Sequence, residues 1–474
     1  MTNGLSGPRK QFLDVLRVLA TCAVVLMHVL TGATDVTDAS IVPEYRSLLL
    51  SVMDLVTWCV PIFLLMSGYL FLNPERTLTY PVMIKKYCRR IALAILLFGV
   101  PYAASELVVA ERTFRIRMIP EALKMTLTGH TWSHMWYLYL ILFLYLITPL
   151  LKKVLRVLPV WGVAAVMAVI FLGSSVAPFL NKVLDVNSIP VLPDGGVYFL
   201  YYLCGYFFAV REVCVDKAES SGTSGKGMEA GLDTEPVRGK RIGNVWLMAA
   251  AVLMMGMILS RTLAGFSIQM AYNYPFTVLL AVLLFAAGWN GRRDGAASTA
   301  REKTHRIPWQ EAGALSFAVY LVHPVYVNLL YKFVKITPFT VLEQCGVQSV
   351  AAGQVVLILL LAAFCLVVLA LATATAWVLR KIPVKKICAI EERSLTRGLL
   401  FAIACYAYNL VTLPAPGSAA RQYQPTLGDR EADLFGFHMT AELFRQGGIH
   451  HIGQHGGLQS CSVRIDQEEQ RIIG

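Results

Sequence analysis

Charge is what this 474-residue chain has least of: Asp, Glu, Lys and Arg make up 15% of it, against 56% apolar residues and a mean hydropathy of +0.58. An ordinary soluble domain carries about 25% charged residues, so that class is excluded. Cysteine occurs ten times, but no two form a CxxC pair and most lie inside apolar runs. That excludes a disulfide framework and a zinc ribbon. There is no convincing internal repeat, which weighs against the duplicated architectures common among transporters.

What is present is a series of apolar runs long enough to cross a bilayer, which takes about 20 residues and sometimes as few as 17. Ten are predicted, at roughly 12–31, 49–72, 87–108, 135–151, 160–180, 196–210, 244–262, 272–289, 313–334 and 350–379. The fold class is therefore all-α and polytopic. The net charge of +12 does not point to nucleic acid, because it follows the membrane. With the N-terminus inside, the inner loops hold 27 Lys and Arg through residue 397 and the outer loops 9. This bias predicts ten helices with both termini cytoplasmic. Arg17 and His28 within the first run argue for a retained helix rather than a cleaved signal.

Residues 1–398 read as one transmembrane domain, with a Gly/Ser/Glu/Lys-rich cytoplasmic linker at 213–241 between a six-helix and a four-helix half. Residues 399–474 hold one short apolar run followed by a polar, Gly/Gln-rich tail expected to be disordered. The HHxxxH pattern of His450, His451 and His455 lies in this tail and is not expected to bind metal.

The first run, "FLDVLRVLATCAVVLMHVL", poses the chemical question, because charges inside a membrane helix are costly and usually functional. Eleven steps of about 100° bring His28 back to the face of Arg17, about 16 Å further along the axis. Asp14, three residues earlier, joins that face. Such a stripe suits an anionic donor docked at Arg17, with its reactive end reaching a general base at His28. The plainer alternative is that Arg17 and Asp14 snorkel to the inner interface while His28 lies near the outer headgroups. The second run returns antiparallel and brings Asp54 to about the depth of His28. There it either hydrogen-bonds the imidazole or faces interfacial water. Ser67-Gly68 reads as a helix-packing pair. Lys85, Lys86, Arg89 and Arg90 open the third run, as a phosphate clamp or as a topology signal. Trp132, Trp136, Tyr137 and Tyr139 have the look of an aromatic belt. His134 beside them reads first as interfacial and second as lining an acceptor site. His323 lies mid-span, where an imidazole normally faces the bundle interior or a water-filled cavity.

Five segments occur in order over roughly residues 10–390: "FLDVLRVLATCAVVLMHV", "PIFLLMSGYLFL", "KKYCRRI", "HMWYLYLILFLYLITPLL" and "YLVHPVY". Together they resemble the acyltransferase-3 family of integral-membrane O-acyltransferases. The resemblance implies a ten-helix enzyme of the bacterial cytoplasmic membrane that moves an acetyl group from acetyl-CoA to a hydroxyl of an envelope glycan or lipid-linked sugar. It matches His28 to the family's proposed catalytic histidine and Arg17 to the arginine paired with it. It places Lys86, Arg89 and Arg90 where the family has a second basic motif for the CoA phosphates, and Trp136 and His323 at other recurring positions. Some members carry an esterase-like domain with a Gly-Asp-Ser block. Here "LGDREADL" has arginine in place of that serine, which implies a stand-alone membrane enzyme without metal, its partners lipids and the glycan acceptor. The competing reading is a transporter or flippase for glycan or lipid-linked sugar.

Overall fold

A computed structural model describes residues 11–37, 43–193, 195–220, 235–263, 271–298 and 309–381. Among these it is all helix and turn, with no strand. Twelve helical stretches follow in order: α1 Gln11–Thr37, α2 Pro43–Phe71, α3 Tyr80–Glu111, α4 Met118–Thr128, α5 Ser133–Val157, α6 Val160–Leu184, α7 Gly195–Ser220, α8 Glu235–Leu263, α9 Pro275–Ser298, α10 Trp309–Phe333, α11 Pro338–Gln344 and α12 Val350–Lys381. Nine of them carry a segment long and apolar enough to span a membrane, and Pro275–Asn290 is a shorter apolar helix at the eighth expected run. All ten runs are thus helices. The two short helices α4 and α11 were not foreseen. The helices flanking the linker reach further into 213–241 than expected, to Ser220 and from Glu235. The rest of that linker, the 399–414 run and the whole tail lie outside the described residues.

Helix α1 is the axis of the bundle. Its first half contributes Phe12, Leu13, Leu16 and Ala20 to a core shared with α2, α5, α7 and α9. Its second half contributes Val25, Val29 and Leu30 to another, shared with α2, α10 and α12. Lipid tails are as apolar as leucine, so burial does little to associate these helices, and small residues that allow close approach do more. A Cβ on Gly68 would lie 1.9 Å from the Tyr202 carbonyl oxygen, and one on Gly205 2.2 Å from that of Leu65. The α2–α7 crossing therefore depends on both glycines, as the Ser67-Gly68 reading expected.

Prolines break the spans where the chemistry lies. Each lacks the N–H that would reach the carbonyl four residues earlier. Pro61 accompanies the break of α2 at Thr57–Trp58, one turn from Asp54. Pro149 leaves the Tyr145 carbonyl without its helical donor, and Pro324 does the same to Tyr320, just before a π-helical turn at Leu329–Phe333.

Candidate active site

His28, His134 and His323 meet. Their ring centroids are 5.0 Å apart for His28 and His323, 5.9 Å for His134 and His323, and 6.3 Å for His28 and His134. Three helices deliver them. His28 comes from α1, which is pinned to α10 by the hydrogen bond that Tyr331 donates to the Val29 carbonyl at 3.1 Å. His323 lies one residue before the proline of α10, and its Nδ1 is 3.2 Å from the Val319 carbonyl oxygen. His134 opens α5. Helix α4 ends on Gly129 at φ 83°, a left-handed conformation that glycine adopts without strain, and His130 donates back to the Met125 carbonyl at 2.8 Å. That turn returns the chain to Ser133, and Tyr139 fixes it by donating to the Thr126 carbonyl at 2.5 Å.

The expectation that His134 is interfacial is corrected: its residue is 3% exposed and His323 is 0% exposed. The cause is a collar of aromatic rings that encloses it. Trp132 stacks on Tyr102 at 4.3 Å, Tyr102 donates to the Leu321 carbonyl at 2.5 Å, and Tyr320 donates to the backbone carbonyl of His134 itself. Trp132, Trp136, Tyr137 and Tyr139 are half-buried and packed against the core. Trp136 lies further round the ring, against Tyr137, Tyr198 and Tyr272, and connects to the histidines through Tyr137 and Tyr320. His28 is half-buried.

The cationic end of the α1 stripe is also occupied. Arg17 pairs with Asp14 at 2.9 Å. Arg90 lies over the Phe317 ring at 5.2 Å and Lys86 over Tyr87 at 5.5 Å; Lys85 and Lys86 are exposed and Arg89 is half-buried.

Asp54 is buried and bound by Arg261, whose Nη2 and Nε lie 2.6 Å and 3.2 Å from the same carboxylate oxygen. This arginine was not foreseen as a partner. The signal for it was an arginine near the outer end of an otherwise apolar run, at the depth expected for Asp54. Among the described residues no cluster of His, Cys, Asp or Glu has metal-binding geometry.

A family model described as "Acyltransferase domain", that of the acyltransferase-3 family, matches residues 10–377, well over half of the chain. The chain belongs to the acyltransferase-3 family. No curated protein and no solved structure gives a significant match. The three histidines, Arg17, Arg90 and the Asp54–Arg261 pair all lie within the matched residues of this membrane acyltransferase.

Proposed function

We propose that this acyltransferase moves an acetyl or other short acyl group from its CoA thioester to a hydroxyl of an envelope glycan or lipid-linked sugar, in the bacterial cytoplasmic membrane. The observation that carries the reading is the α1 stripe: Arg17, paired with Asp14, at one end, and His28, inside an imidazole cluster, at the other. A donor with anionic phosphates and a distant thioester fits a site whose cationic and basic ends are about 16 Å apart. Arg17, Lys86, Arg89 and Arg90 hold the phosphates, with guanidinium groups suited to bidentate contact. His28 takes the proton of the acceptor hydroxyl as its oxygen attacks the thioester carbonyl. The C–S bond then breaks, the new C–O ester bond remains, and the leaving thiolate recovers the proton from the imidazolium. The loop charge bias supports a cytoplasmic donor end, which on this reading puts His28 toward the outer face, beside the acceptor.

Membrane vesicles bearing the protein, given acetyl-labelled acetyl-CoA, test this reading. Base-labile label is expected in the glycan fraction, and His28→Ala should lower its appearance by about 10²- to 10⁴-fold, the usual contribution of a general base. Absence of label from every glycan and lipid fraction with the wild-type protein would overturn the reading.

A further inference from the structure

His134 and His323 present an arrangement that the removal of one proton does not use. Both are buried, and the Nε2 of each has no hydrogen-bond partner among the described residues. The other nitrogen of His323 faces a backbone carbonyl, that of Val319 at 3.2 Å. A carbonyl only accepts, so Nδ1 carries the hydrogen in neutral His323 and its Nε2 is left as a lone-pair acceptor; in the same tautomer His134 offers a second. Pro324 strengthens this assignment at His323, because it leaves the Tyr320 carbonyl beside the ring without its helical donor. Buried polar atoms are nearly always satisfied, and two orphans in one cluster call for a ligand that brings donors. Their ring neighbours besides His28 are the uncharged Tyr102, Trp132 and Tyr320, which gives no countercharge to a buried ammonium. With ring centroids 5.9 Å apart, the two acceptors are within reach of neighbouring hydroxyls on one molecule, each donating over about 2.8 Å.

We propose that His134 and His323 form a paired hydrogen-bond acceptor for hydroxyls adjacent to the one acylated, so that the enzyme selects contiguous polyols over isolated alcohols. This rests on the acyl-transfer reading for its consequence in catalysis, and on the structure alone for the binding site. An isolated alcohol leaves both nitrogens buried and unpaired. The discrimination against it is on the order of 10²- to 10⁴-fold.

The test uses the full-length protein in nanodiscs with three probes: octyl β-D-glucoside below its micellar concentration, octanol and octylamine. Diethyl pyrocarbonate, which modifies unbonded imidazole nitrogens, is followed by peptide mass spectrometry. The glucoside should slow modification of both His134 and His323, while octanol and octylamine should not. Protection by neither glucoside nor amine, equal protection by all three probes, better protection by the amine, or no modification of the free protein would each overturn the proposal. Acyl transfer from acetyl-CoA is measured on the same preparations. The glucoside-to-octanol rate ratio should collapse in His323→Leu and recover in His323→Gln, whose amide oxygen accepts. Rates that fall equally for both probes would make the residue merely structural. Protection without any transfer would leave this site standing and remove the acyl-transfer reading instead.

Discussion

An imidazole nitrogen buried without a partner costs a protein about 1–3 kcal/mol, and among the described residues His134 and His323 each keep one, beside His28. Such a cost persists where it prepares a site for something that arrives later. The roles of the two ends of α1 separate kinetically. With Arg17 holding the donor as proposed, its replacement by Ala should raise KM for acetyl-CoA by about 10- to 100-fold with a smaller change in kcat. His28→Ala should act on kcat. A KM effect from His28→Ala alone, measured by thioester consumption across donor concentrations, would contradict the assignment. The residues of the stripe were legible because helix periodicity is local: Arg17 and His28 share a face whatever surrounds them. The meeting of His28 with His134 was not legible, since it depends on a turn at Gly129 and a collar of tyrosines drawn from three helices.

At the scale of elements, the Asp54–Arg261 pair ties α2 to α8, joining the two halves of the bundle. Its burial makes it sensitive to one-sided change: losing one partner strands a charge at a cost of about 3–5 kcal/mol. Asp54→Ala and Arg261→Ala should each lower the melting temperature, and the exchange Asp54→Arg with Arg261→Asp should recover part of it. If instead Asp54→Asn leaves the melting temperature alone and lowers kcat, Asp54 belongs to the chemistry as an orienting group for His28. The α2–α7 crossing gives a second check. Gly68→Val places side-chain atoms where the Tyr202 carbonyl stands, and overpacking of this kind costs about 1–3 kcal/mol or more. Fluorescence-detected size exclusion after a heat step should show earlier loss of the folded peak. The spans were readable from apolar length alone, whereas α4 and α11 were not, because short helices outside the bilayer carry no such signal.

For the whole molecule, family membership over residues 10–377 decides for acyl transfer over transport, and the charge bias of the loops predicts an orientation with both termini cytoplasmic. Two native cysteines report on that orientation. Cys214 and Cys345 are both exposed, the first on α7 beside the basic linker and the second just after α11. A membrane-impermeant maleimide added to intact cells should label Cys345, and should reach Cys214 only after permeabilisation. The reverse pattern would invert the bundle and put Arg17 on the wrong side for a cytoplasmic donor.

The most direct measurement is release of free CoA from acetyl-CoA supplied at the Arg17 face of proteoliposomes, with envelope glycan at the other, comparing wild type with a folded His28→Ala protein. The account predicts glycan-dependent release from the wild type, matched by ester-linked label on the glycan, and a loss of about 10²-fold or more in the variant. Equal release from both proteins would contradict it.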